Sequence, residues 1–207
     1  LSYKLPEGNA ILQTGGQPVK GLDRKNDRIY AAIENQLIWF EPSTQRHGSY
    51  PLPDKSVQSL NIWDNELYVS SLSGLSVYSE SGNTLLRKRN LPLGAGISNV
   101  IRSGGRYWAG TYGTRVMEMR GDQFIADSST PYVSEKIVPL NGGLASFNYE
   151  DGMQFAWQNG SHVSLTMREG LLSNAVYDIH EYKDSFWIST RNGVSVYSGG
   201  KIVRNIT

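Results

Sequence analysis

Three histidines, His47, His162 and His180, are the side chains of this sequence best suited to hold a metal or to move a proton near neutral pH. Their spacing serves neither task. His180-Glu181 opens like the zinc-protease motif, but Asp184 stands where the second histidine is needed, so no metal is expected at any of the three. The closest set of carboxylates is Asp178, Glu181 and Asp184, and glycoside hydrolysis would need two of them facing each other across one bond. On a strand, however, Asp178 and Glu181 point to opposite faces, and Asp184 falls in a turn. There is no Gly-x-Ser-x-Gly elbow, and Gly94-Ala95-Gly96 runs into Ile97-Ser98-Asn99 without the third glycine of a phosphate-binding loop. Cysteine is absent, which excludes thiolate sites and disulfides. No catalytic residue and no cofactor is expected.

Charge narrows the partners further. Twenty Lys and Arg stand against 19 Asp and Glu in 207 residues, a formal charge of +1, which removes the broad electrostatic reason to expect nucleic acid or an anionic membrane. Two basic clusters, Arg24-Lys25 with Arg28 and Arg87-Lys88-Arg89, are expected at a hairpin turn and on an outermost strand, where positive charge discourages edge-to-edge association. Apolar runs such as Leu37-Ile38-Trp39-Phe40 are far short of the ~20 residues needed to span a bilayer. No basic-then-apolar leader opens the residues at Leu1, so an exported protein would have lost its leader or carry it elsewhere. With 39% hydrophobic and 11% aromatic residues, the chain has the material for a packed core.

The elements that must position any site follow from an internal repeat. Five segments place an apolar strand, a small-residue turn and an alternating strand in succession: residues 28–40, 66–78, 106–119, 152–165 and 185–197. Aligned on Gln36, Gly74, Gly113, Gly160 and Gly193, they are spaced by 38, 39, 47 and 33 residues, close to the period of a four-stranded propeller blade. In the last unit all four strands can be traced. Ala175 to Glu181 alternates, Phe186 to Thr190 is dense in strand-favouring types, Asn192-Gly193 signals a hairpin, and Lys201 to Ile206 follows Ser198-Gly199-Gly200. Leu5-Pro6, Leu52-Pro53 and Leu91-Pro92 punctuate the links between units, and no long helical period interrupts them.

The expected fold is therefore all-β, a β-propeller of about five four-stranded antiparallel blades, at roughly residues 18–50, 56–90, 97–127, 144–168 and 174–207. The fourth blade is the most divergent, with a long loop expected between Asp122 and Gly143. Residues Leu1 to Lys4 read as the tail of an outermost strand of an earlier blade. The chain is thus either a self-contained ring or a segment of a longer propeller array. Trp108 and Trp187 share one blade position and are expected to pack between adjacent sheets. Trp63 and Trp157 leave that register, and either fill gaps between blades or expose a sugar-stacking face.

One stretch, residues 168–202, resembles the two-component regulator propeller repeat. The matching elements are Glu169-Gly170-Leu171, Asn174, Trp187-Ile188-Ser189-Thr190, Gly193-Val194 and Tyr197. A second match runs over residues 97–119, with Asn99 and Trp108-Ala109-Gly110-Thr111. Ser189 stands where the family usually has glycine, and Ser185 where a turn glycine is common. The resemblance implies a periplasmic or extracellular sensing region of a bacterial membrane-bound signalling protein, a hybrid histidine kinase or a diguanylate cyclase protein. Such regions receive a ligand, often a glycan fragment, and pass the event to an output module. This chain contains no such module and would be the input part alone.

In a propeller, ligands sit over the central channel, on the face built from links entering the inner strands and from turns joining strands two and three. That rule selects Asn99, Arg102, Tyr112, Asn174, Arg191 and Asn192, a set of amides, guanidinium groups and one phenol suited to a polyhydroxylated or carboxylated small molecule. Each of these residues also fits plain turn chemistry. Two further functions compete with ligand sensing: a scaffold propeller whose faces bind a polypeptide, and a carbohydrate-active propeller enzyme.

Overall fold

The computed structural model describes residues 16–54, 56–126 and 134–207. The readings made of Leu1–Lys4 and of Leu5-Pro6 lie outside the described residues. The chain divides into two compact units, Leu1–Val100 and Ile101–Thr207. Among the described residues there are twenty strands in five four-stranded antiparallel sheets, each running in sequence order, and one 3-10 turn. This is the blade architecture of a β-propeller.

In the first unit, one sheet comprises β1 (Gly21–Lys25), β2 (Arg28–Ile33), β3 (Gln36–Glu41) and β4 (Arg46–Pro51). The next comprises β5 (Val57–Trp63), β6 (Glu66–Ser71), β7 (Gly74–Ser81) and β8 (Thr84–Pro92). Facing side chains of the two sheets, among them Tyr30, Leu37, Trp39, Val57, Leu67 and Val69, form one buried core. The inner strands approach closely, for a Cβ on Gly21 would lie 2.4 Å from the Leu60 backbone nitrogen. Arg28, expected in a solvated turn cluster, is instead drawn in. Its guanidinium lies 4.1 Å over the Trp39 ring and bridges Glu41 of its own sheet to Glu80 of the next.

The third sheet comprises β9 (Ile97–Ser103), β10 (Arg106–Thr111), β11 (Met117–Arg120) and β12 (Gln123–Ala126). The fourth comprises β13 (Lys136–Leu140), β14 (Gly143–Phe147), β15 (Met153–Trp157) and β16 (His162–Leu165), and the fifth β17 (Val176–Tyr182), β18 (Ser185–Thr190), β19 (Gly193–Ser198) and β20 (Lys201–Ile206). Ile101, Trp108, Ile137, Leu144 and Ala156 form the core between sheets three and four. Phe147, Phe155, Leu171, Val176, Ile188 and Tyr197 do the same between sheets four and five.

Two expectations change here. Strand β13 lies inside the stretch read as a loop. Pro139 is tolerated because β13 is an edge strand of its sheet, where a missing N–H need not break a ladder. Consequently residues 152–165 hold the third and fourth strands of their blade, and Gly160 sits in the turn between them. The residue equivalent to Gly74 and Gly193 is Gly152. A Cβ on any of the three would lie 2.2 or 2.3 Å from a carbonyl oxygen of the outermost strand, Leu91, Leu165 or Ile206. With Gly152 in place, the last two spacings become 39 and 41 residues. The fifth hairpin also shifts by one residue. Arg191 and Asn192 form the turn, and Gly193, at φ +131°, is the first strand residue, pairing with Thr190.

Candidate functional site

Within the second unit, the turns joining strands two and three of each blade are fastened to the links that enter the inner strands. Thr111 N–H donates to Ser134 O at 2.9 Å, Gly152 N–H to Asn174 O at 3.0 Å, Val176 N–H to Asn148 O at 3.2 Å and Arg191 N–H to Ala175 O at 3.0 Å. These bonds gather one end of three successive sheets into a continuous surface.

Three tyrosines stand on it. Tyr112 follows β10 and is 38% exposed, Tyr149 lies in the β14–β15 turn and is 57% exposed, and Tyr177 lies near the start of β17 and is 42% exposed. The Tyr149 and Tyr177 ring centroids are 5.7 Å apart at an interplanar angle of 52°. Burial raises the Tyr112 phenol above its ordinary value, and the Glu135 carboxylate and the Tyr149 phenol add to the rise. The local sequence explains how Tyr149 is held outward. Asn148 Oδ1 accepts from the backbone N–H groups of Glu150 at 2.9 Å and Asp151 at 2.6 Å, and its amide donates to the Asp151 carboxylate at 2.7 Å. That tight turn leaves the aromatic ring between Asn148 and Glu150 facing solvent.

The charges around these rings are mixed. Lys136 Nζ lies 3.2 Å from Asp178 Oδ1 and 5.7 Å from the centre of the Phe147 ring. Away from the rings, towards the far end of β17, Glu181 accepts the Asn141 N–H at 3.0 Å. Asp178 and Glu181, two of the three carboxylates weighed for acid-base work, are thus engaged in fastening sheet five to sheet four. His47, His162 and His180 are exposed, and among the described residues no group of three His, Asp or Glu side chains could hold a metal ion.

The six residues selected from the sequence fall as follows. Tyr112 belongs to the tyrosine surface. Arg191 is exposed in the β18–β19 turn. Asn174 is half-buried, with its Oδ1 accepting the Met167 N–H at 2.8 Å, and Asn192 donates through Nδ2 to Leu172 O at 3.1 Å. Both amides therefore tie down the link before β17. Arg102 lies at the far end of β9 from Tyr112, beside the β9–β10 turn, with its guanidinium 5.5 Å from the Tyr107 ring. Asn99 belongs to the first unit and accepts from the Ser98 hydroxyl at 3.4 Å. Neither Tyr149 nor Tyr177 is among the six: aligning the fourth blade on Gly160 puts its turn between strands two and three at Asn159-Gly160, whereas the structure has that turn between β14 and β15, where Tyr149 lies.

The link itself accounts for the Glu-Gly-Leu signature. Thr166 caps the 3-10 turn Met167–Glu169, the Glu169 carboxylate accepts from both Thr166 N–H at 2.9 Å and the Thr166 hydroxyl at 2.6 Å, and Gly170 takes the left-handed conformation at φ +106°. Leu171 is buried in the core between sheets four and five.

No family model matches the chain, and no curated protein sequence matches it significantly. Solved structures do. The extracellular domain of the hybrid two-component system BT4673 from B. thetaiotaomicron superposes with a TM-score of 0.69 at 18% identity, over 94% of this chain and 28% of that one. The corresponding domain of BT3049 from the same organism gives 0.65 at 15% identity, over 100% and 36%. The WD40 β-propeller domain of Doa1 gives 0.68 at 10% identity, over 91% and 68%. The chain thus spans about a third of the two extracellular domains it resembles. At these identities the likeness shows the fold: this chain is built as a β-propeller.

Proposed function

We propose that this chain is the ligand-receiving propeller region of an extracytoplasmic sensor in a membrane-bound signalling protein, and that it carries out no chemistry itself. The observation that carries the reading is the row of Tyr112, Tyr149 and Tyr177, exposed on three successive blades at one end of the second unit. A tyrosine ring offers an apolar face and a hydroxyl at low entropic cost, a combination suited to ring-shaped polyhydroxylated molecules. Glu135, Glu150, Asp151 and Asp178 lie on or beside this surface, so a neutral ligand fits better than a carboxylated one. Arg191 stands at its rim, while Asn174 and Asn192 hold the loop beneath. The extracellular two-component neighbours support the setting, and the sequence resemblance points the same way.

The test is calorimetric titration with neutral oligosaccharides, with uronic acids for comparison. Saturable binding of a neutral saccharide, weakened at least tenfold in the Tyr149→Ala, Tyr177→Ala double variant at unchanged melting temperature, is the expected result. Equal binding by the variant would remove the tyrosine surface as the site, and the absence of saccharide binding beside a stable complex with a polypeptide would replace the sensing role by a scaffold role.

A further inference from the structure

A cavity of about 180 Å³ lies between sheets three and four, at the β9–β10 and β15–β16 turns. This is the end of those sheets opposite the tyrosine surface. We infer that this cavity is a separate binding site for a small aromatic carboxylate. Its walls combine two chemistries. Trp108, Leu144, Ala156 and Trp157 supply apolar surface, and Arg106 and Gln158 supply donors.

The aromatic wall is fixed in place. Trp157 stacks on Phe155 with ring centroids 5.7 Å apart at 13°, and Trp108 donates from Nε1 to Ser103 O at 3.4 Å. Ser103 in turn donates through its hydroxyl to Gly143 O at 2.6 Å, which closes the floor between the two sheets. Arg106 lies 4.9 Å over the Trp108 ring and 3.5 Å from Oε1 of Glu118, whose Oε2 accepts from Arg120 at 2.8 and 2.5 Å. A guanidinium lying over an indole, with one long contact to a carboxylate, is prepared for bidentate contact with a further carboxylate. The volume decides the size of the guest. Drug-sized ligands occupy roughly 300 Å³ or more, so this site has room for one ring system with a short acidic substituent. Gly160 lines the cavity without a side chain, and the space where its Cβ would be is open.

The experiment uses benzoate and indole-3-acetate as probes, followed by calorimetry and tryptophan fluorescence. Saturable binding of at least one acid is expected, at least tenfold tighter than benzyl alcohol or indole on the unaltered chain. Arg106→Met should weaken it tenfold or more, Arg106→Lys should weaken it less, and the Tyr149→Ala, Tyr177→Ala variant should bind as well as the parent. No saturable binding, equal affinity for the neutral compounds, or unchanged affinity in Arg106→Met would overturn the assignment. The comparison of acid with neutral compound needs no variant and so stands whether or not the substitutions fold.

Discussion

Tyr50, at the end of the first blade's outermost strand, donates its hydroxyl to the Glu80 carboxylate of the second blade at 2.5 Å. Tyr30 reaches the other oxygen of the same group at 2.6 Å, and Arg28 bonds it as well. One acid from β7 therefore receives three donors from the neighbouring sheet, and its side chain is almost wholly buried. Replacing Glu80 by Ala would leave two phenols without an acceptor and the Arg28 guanidinium with Glu41 alone. Removal of one member of a buried ion pair costs about 3–5 kcal/mol. Denaturant unfolding of the Glu80→Ala variant should show a loss of that order, and a change below about 1 kcal/mol would mean that the network does not hold the two blades together.

The same network sets a pH dependence with two limbs. Glu41 is held down to about 2, chiefly by the hydrogen bond from Arg28 and then by those from Thr44 and Arg46. An acid whose folded value lies below its ordinary 4.5 contributes fully above that pH, and its contribution is lost as pH falls from there towards 2. Tyr50 is pushed up to about 12, first by burial and then by its bond to Glu80. Its contribution is complete below the ordinary value of 10 and is lost as pH rises from 10 towards 12. Melting temperatures should fall through both windows and stay level between them. Arg28→Met should flatten the acid limb, because it removes the largest cause of the Glu41 shift.

Gly152 and Gly160 form a matched pair for separating two roles of glycine. Both have φ near +84°, but a Cβ on Gly152 would lie 2.3 Å from Leu165 O, while one on Gly160 would meet open space. Gly160→Ala should cost only the left-handed strain of an L residue, about 1–2 kcal/mol. Gly152→Ala adds a steric displacement of the outermost strand, about 1–3 kcal/mol more. Equal losses in chemical denaturation would show that the close approach is relieved without cost.

These glycines also explain how far the sequence could be read. The blade repeat was legible where strand three opens on glycine directly after a two-residue turn, as at Gly74 and Gly193, because the turn and the close approach of strand four coincide. In the fourth blade the turn is longer, and Asn159-Gly160 imitates the hairpin signal one strand later, so the alignment slipped and β13 was lost. Site legibility failed for a related reason. Asn174 and Asn192 look like ligand donors by residue type, but their hydrogen bonds run to Met167 and Leu172. Tyr149 carries no motif at all and becomes visible only once Asn148 is seen to fold a turn around it.

Asn174 therefore has a structural signature that a ligand contact would lack. Asn174→Ala removes the acceptor for the Met167 N–H in an exposed setting, a loss of about 0.5–1.5 kcal/mol. Saccharide affinity at the tyrosine surface should change by less than about twofold, roughly 0.4 kcal/mol. A large affinity loss at unchanged stability would return Asn174 to the ligand.

Trp108 and Trp187 occupy the same position on strand two of their blades but differ in their surroundings. Trp108 is 7% exposed beneath sheet four, while Trp187 is 38% exposed and bonded from Nε1 to the Ser185 hydroxyl at 3.2 Å. The expectation that both pack between sheets holds for Trp108 alone. Repeat position fixes which face a side chain takes, and the next sheet decides whether that face is covered. Trp108→Ala should cost about 3–5 kcal/mol, as for a large buried aromatic. Trp187→Ala should cost about 1–2 kcal/mol, because much of its area already meets water. Acrylamide quenching provides an independent check: removing Trp187 should eliminate a readily quenched part of the tryptophan emission, whereas removing Trp108 should leave that part in place. Equal quenching by both variants would mean that Trp187 is covered in solution.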